Sequence, residues 1–240
     1  MLNKESNAYT LGYAAIMTVV VAVVLTTLFT ALKPMHDANE QLAKKKDILK
    51  AVGLVDLEDP EKSYEDNIVG YILDHEGNDI TDADTSVVPE TVDVGKESKL
   101  AEDKRKYPIF IYTAEDGGKK YIVPLHGKGL WDKIWGYIAI NDDFNTIYGI
   151  SFDHKAETPG LGAEMKDNPK EYNEPFIGKK LFKGEAFKSE YKGIAMVKGT
   201  KREPDHQVSA MSGATITSKG VNEMILEDIP AYFNYFKKIK

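Results

Sequence analysis

The sequence predicts an α+β protein, with a single N-terminal transmembrane helix followed by one mixed α+β domain. Three observations carry that prediction. Residues 11–32 hold no charged side chain, residues 107–152 hold paired β-rich runs, and the small, hydroxylic stretch Ser212 to Ser218 leads into helical spacing. A chain of 240 residues is long enough to bury a substantial core. The net charge is −7 and the lysines are scattered rather than gathered in a stripe, which argues against nucleic acid as a partner. The absence of cysteine excludes disulfides, iron–sulfur clusters, Cys-ligated zinc and thiol nucleophiles. Redox chemistry in this chain would need an organic cofactor, or a metal held by His and carboxylates.

From Leu11 to Leu32 the run of roughly 22 apolar residues gives a helix of about 33 Å, enough to cross a hydrocarbon core. A cleaved signal would have a shorter apolar core, and Phe29 would occupy a cleavage-site position that wants a small residue. An uncleaved anchor over residues 1–34 is therefore expected, with a domain over residues 35–240. Charge leaves the sidedness open, since Lys4 precedes the span while Lys33 and Lys44 to Lys46 follow it. Ala38 to Val52 reads as a second helix, with Leu42, Leu49 and Val52 on one face and Gly53 as its stop. Glu58 to Ser63 reads as a charged connector, Ile68 to Leu73 as a strand, and Asp82 to Lys106 as a polar surface excursion. Tyr107 to Thr113 and Lys119 to Val123 form a predicted hairpin around Ala114–Gly118. Trp135–Ile140 and Ile147–Phe152 form a second pair, and Gly193–Lys198 a short strand. A helix is expected from Ser218 onward with Val221, Met224 and Ile225 buried, kinked or ended at Pro230.

The chemistry-bearing stretch is Ser212-Gly213-Ala214-Thr215-Ile216-Thr217-Ser218. Small residues admit close approach to the backbone, and free N–H groups at a helix start favour a phosphate. Thr217 or Ser218 can equally serve as a plain N-cap. A second stretch, Glu157-Thr158-Pro159-Gly160-Leu161-Gly162, reads locally as a turn whose leucine is free to cover an apolar ring. His126 and His154 lack metal-ligand spacing and read as surface or loop residues. Tyr232, Phe233, Tyr235 and Phe236 read as core or interface rather than lipid contacts.

Ser212-Gly-Ala-Thr215 followed by Ile-Thr-Ser resembles the flavinylation motif of the FMN-binding domain family, and the Glu157–Glu164 segment resembles that family's flavin-facing loop. Gly127-Lys-Gly-Leu130-Trp131, Trp135-Gly-Tyr137, Gly178-Lys-Lys-Leu-Phe182 and Met196-Val-Lys-Gly199 are similar to the C subunits of sodium-translocating NADH:quinone reductases. The resemblance implies FMN joined through its phosphate to Thr215 by a separate flavin transferase that uses FAD. It places Ser212, Gly213, Ala214 and Thr217 around the phosphate, and Thr158, Gly160, Leu161 and Gly162 against the ring. For Glu157 two roles stand open, orienting the flavin or capping the turn. No catalytic acid, base or metal is implied. The family's setting implies an electron relay, in a bacterial inner-membrane complex of six subunits that couples NADH oxidation and quinone reduction to sodium export. The flavin domain would be periplasmic, and lipid would surround the span. In one departure, Ser209 stands where the family motif usually carries an acidic residue. Two other readings remain: the G subunit of Rnf ferredoxin:NAD oxidoreductases, and an anchored scaffold without flavin.

Overall fold

A computed structural model describes residues 6–83, 87–115 and 117–240. Lys4, Asp116 in the predicted hairpin turn, and residues 84–86 of the predicted surface excursion lie outside the described residues. The chain divides into two units, residues 1–43 and 44–240.

The first unit is helical. Helix α1 spans Asn7–Ala51, and in its apolar part Leu11, Ile16, Leu25 and Phe29 are all exposed. It is long and apolar enough to cross a membrane. Thr18, Thr27 and Thr30 donate their hydroxyls to the carbonyls four residues back, so these three hydroxyls are satisfied within the helix. The sequence predicts a separate helix from Ala38, but α1 runs through Pro34 without ending. A proline removes one ladder hydrogen bond, whereas ending the helix would require a second, costly nucleation a few residues later.

The second unit begins with the last two turns of α1, where Asp47, Ile48, Leu49 and Ala51 are buried. Helix α2 (Pro60–Asn67) occupies part of the predicted connector. Asp59 accepts from the Lys62 N–H and Pro60 fills the first turn, a start signal that the charge of the segment conceals. Strand β1 (Ile68–Leu73) follows as predicted. Among its described residues the polar excursion contains short 3-10 turns and the single-turn α3 (Val94–Glu97). Strands β2 (Tyr107–Thr113), β3 (Lys119–Lys128), β4 (Lys133–Asn141) and β5 (Ile147–His154) complete an antiparallel meander in the order β1-β2-β3-β4-β5. Strand β3 runs five residues past its predicted end because Leu125 stays buried and Lys128 still faces Lys133 on β4.

Period-two alternation sends each strand's side chains into two separate cores. Ile109, Tyr121, Val123, Leu125, Ile134 and Ile138 pack on one face, under α6 (Thr215–Asp228) and α7 (Phe233–Ile239). Phe110, Tyr112, Ile122, Tyr137 and Ala139 pack on the other, against Ile48, Leu49, Val52 and Tyr64. Between β5 and α6 come the single turns α4 (Glu164–Asp167) and α5 (Pro169–Tyr172), then β6 (Ala195–Val197) and β7 (Gln207–Ser209). The last two pair in parallel, an element the three-residue run at 207–209 is too short to announce. Pro230 sits in a 3-10 turn joining α6 to α7. Tyr232 and Phe236 are core residues, and the Tyr232 hydroxyl donates to the Pro108 carbonyl at 2.9 Å.

Candidate functional site

The site forms where the chain turns from β7 into α6. Met211 and Ala214 are buried, while Ser212 and Gly213 face outward. Gly213 has φ +71°, and a Cβ on it would stand 2.6 Å from Leu161 Cδ2. The positive φ favours glycine here, and its bareness lets Leu161 lie against the turn. The helix starts at Thr215, three residues before the predicted start. Its N-cap position is Ala214, which has no side-chain acceptor to offer the first N–H groups. Thr217 and Ser218, the candidate caps, lie inside the first turn and are buried with their hydroxyls engaged elsewhere. Ser218 Oγ accepts from the Met211 N–H at 3.1 Å and so pins the turn to the helix, while Thr217 Oγ1 donates to Glu157 Oε2. The helix thus opens with N–H groups that no side chain caps, beside an exposed Thr215.

Opposite lies the turn after β5. Glu157 is only 5% exposed, and both its oxygens are committed. Oε1 accepts from the Trp131 N–H at 3.0 Å, Oε2 accepts from Thr217, and its own N–H donates to His154 Nδ1 at 3.1 Å. One buried carboxylate therefore ties together the β3–β4 turn, the 157–162 turn and α6. Two glycines make room for it. A Cβ on Gly129 would meet Oε1 at 2.4 Å, and one on Gly162 would meet Oε2 at 2.3 Å. Thr158 Oγ1 accepts from the Trp131 indole N–H at 3.2 Å, and its carbonyl accepts from the Leu161 and Ala163 N–H groups. Of the two roles open for Glu157, a local turn cap does not describe its oxygens, which reach across to Trp131 and Thr217 and brace the walls of the site.

Between these walls is a cleft of about 200 Å³ lined by Leu130, Glu157, Thr158, Leu161, Gly162 and residues 213–217. Leu130, Leu161 and Ile216 are 47%, 40% and 55% exposed, three large apolar side chains turned to solvent around one opening. An uncapped helix start favours a phosphate, and the apolar rim suits a flat ring, so the residues present fit FMN. Eight of the ten residues expected from the sequence line this cleft: Gly213, Ala214, Thr215, Thr217, Glu157, Thr158, Leu161 and Gly162. Ser212 and Gly160 do not. Gly160 has φ +75° with nothing within 4 Å of a would-be Cβ, so its glycine is set by the turn's backbone and not by crowding. Leu130 and Ile216 in the cleft lining, and Ser218 and the Trp131 N–H in its supports, were not assigned to the site from the sequence. An apolar residue directly after the threonine was the available signal for Ile216.

His126 and His154 are half-buried residues of β3 and β5, not loop residues, because both strands extend further than predicted. Among the described residues no group of three or more His, Asp or Glu side chains stands ready for a metal. At the far end of α6, burial raises the Asp228 carboxyl from its ordinary 3.8 to about 7, opposed by the His126 N–H it accepts at 2.6 Å.

The model of the FMN-binding domain family matches residues 129–228, from the turn at Gly129 to the end of α6. Fold and site thus define an FMN-binding domain carried behind an apolar N-terminal helix. The C subunit of the Na(+)-translocating NADH-quinone reductase of Neisseria meningitidis serogroup B is 32% identical over 233 residues, covering 91% of this chain and 88% of that one. Its counterpart from Haemophilus ducreyi is 30% identical, covering 92% and 88%. The crystal structure of the C subunit from Parabacteroides distasonis superposes with a TM-score of 0.73 at 35% identity, covering 85% of this chain and 96% of that one. The chain belongs to the family of Na(+)-translocating NADH-quinone reductase C subunits, and is an oxidoreductase subunit.

Proposed function

We propose that this chain is the covalently flavinylated electron-relay subunit of a sodium-translocating NADH-quinone reductase, with FMN held as a phosphoester on Thr215. The observation that carries the reading is the exposed Thr215 at the first position of an uncapped helix, on the lip of the cleft that Thr158, Leu161 and Gly162 close from the other side. When bound, FMN supplies reversible acceptance and release of electrons. Thr215 acts as a tether and needs no neighbouring acid or base, because a flavin transferase using FAD performs the attachment. The N–H groups of the first turn and the helix dipole favour the phosphate. Gly213 keeps its approach open, and Leu130, Leu161 and Ile216 shed water from the ring. Thr217 is committed to Glu157, so its hydroxyl braces the site and is not a second attachment point.

The span at 11–32 anchors residues 1–34 in the bacterial inner membrane among lipid, and residues 35–240 stand on the periplasmic side. There a dissociated flavin would be lost, which gives a covalent tether its advantage. The other members of a complex of six subunits exchange electrons with this one, coupling NADH oxidation and quinone reduction to sodium export. Alone, this chain does not catalyse the overall reaction. The test is ultraviolet fluorescence of the band in a denaturing gel, after co-expression with the transferase. A fluorescent wild-type band that goes dark in Thr215→Val, with the variant still folded, is the expected result. A dark wild-type band beside an active transferase would overturn the reading and place the change at Ser209 first in question.

A further inference from the structure

A second, larger cleft in this unit, about 1090 Å³, shares no lining residue with the flavin site. Its floor is β5, the edge strand of the meander. The Lys155 N–H donates to the Lys133 carbonyl, which sets the phase of the β4–β5 ladder: residues 151 and 153 turn their backbone groups toward β4. Ile150 and Phe152 therefore turn theirs outward. Among the described residues no donor or acceptor answers the N–H or C=O of either.

The same edge is already used a few residues earlier. The Ile147 N–H donates to the Lys179 carbonyl, the Gly178 N–H donates to the Ile147 carbonyl, and Thr146 bridges Lys180. This borrowed pairing stops at Gly178, where φ is +78° and the chain leaves the edge. Beyond that point the cleft begins. Its two walls grow from the two cores on opposite faces of the sheet. Leu54 and Leu57 extend the face packed on the end of α1, while Pro169 and Ile177 stand beside Phe176, which belongs to the other core. A strand laid along the open edge would send successive side chains alternately to these two walls. Val55 and Ile177, on the rim, are 57% and 55% exposed.

We infer that this cleft receives an extended segment of another member of the complex, added to β5 as a sixth strand. The inference rests on the reading that the chain works within such a complex. The segment carries apolar residues at alternate positions, for Leu54 and Leu57 on one side and Pro169 and Ile177 on the other. It also carries a carboxylate toward Lys46, because Lys50 and Lys166 on the same rim are already paired with Asp47 and Asp153. Main-chain hydrogen bonds to Ile150 and Phe152 supply affinity, and the two walls supply specificity.

Amide hydrogen exchange on the full chain, alone in detergent and in the purified complex, tests this. The expected result is at least a tenfold slowing at Ile150 and Phe152 in the complex. Because the chain has no native cysteine, Val55→Cys and Ile177→Cys report in parallel. Each should react with a maleimide in the isolated chain and be protected in the complex, while Leu226→Cys on α6 reacts in both. Ile177→Arg should weaken assembly and leave gel fluorescence at Thr215 intact. Unchanged exchange at Ile150 and Phe152 in an assembled complex overturns the inference and spares the complex. Protected cysteines with unchanged amides also overturn it, in favour of a lipid or side-chain contact. Failure of the wild-type chain to co-purify with other subunits overturns both readings.

Discussion

Gly162→Ala probes the brace directly. Gly162 is outside the left-handed region, so its backbone accepts alanine and only space forbids it. The new Cβ would stand 2.3 Å from Glu157 Oε2 and 2.7 Å from Thr217 Oγ1, where neither partner can retreat cheaply. Glu157 and Thr217 are 5% and 1% exposed. Overpacking costs about 1–3 kcal/mol, and loss of the carboxylate's bond to Thr217 costs about 1.5–3 kcal/mol. A combined loss of about 2.5–6 kcal/mol lowers the melting temperature of a unit this size by roughly 5–24 °C. The assay is thermal unfolding of the full chain in detergent followed by tryptophan emission, since Trp131 reports on the braced turn. Gel fluorescence then measures how much flavin the variant takes up, and less than wild type is expected. Gly160→Ala is the control. It places alanine at φ +75° in open space and should cost only about 1 kcal/mol with normal flavin uptake. If Gly162→Ala melts like Gly160→Ala and loads flavin like wild type, Glu157 is not a clamped brace and the reasoning fails.

Glu157→Ala strands the Trp131 N–H and the Thr217 hydroxyl and should cost about 3 kcal/mol. Glu157→Gln keeps one acceptor and should cost about 1 kcal/mol, an order that denaturant titration can check. Ser218→Ala removes the acceptor of the buried Met211 N–H, for a loss of about 1–3 kcal/mol and slower flavin attachment as the 211–214 turn loosens. Asp228 binds its proton more tightly folded than unfolded, so its contribution to stability is complete below about pH 4 and is lost as pH rises through about 7. Asp228→Asn should flatten that slope by about 4 kcal/mol in unfolding free energies measured between pH 4 and pH 8. An unchanged slope would place the titration elsewhere.

Much of this protein is local and therefore legible in its sequence. The uncharged run at 11–32 predicts a membrane-length helix because one charge would suffice to spoil it. Strands β1 and β2 fall on their predicted residues because period-two alternation needs only neighbours to be read. Ser212 to Thr215 identifies itself by composition, since a close backbone approach requires small residues. The parts that escaped depend on partners far away in the chain. Thr217 looks like a cap until Glu157, sixty residues earlier, takes its hydroxyl; only then does Ala214 become the cap position and Thr215 the first residue of the helix. Glycines 129 and 162 look like ordinary turn residues, yet each is required by the same buried carboxylate. Strands β6 and β7 exist only as a pair, and the open edge at Ile150 and Phe152 exists only because the neighbouring segment leaves β5 at Gly178. A sequence states each residue's dihedral preferences and the face it shows. Which group meets which across the sheet is decided by how the strands register and the helices settle, and that is a property of the folded chain alone.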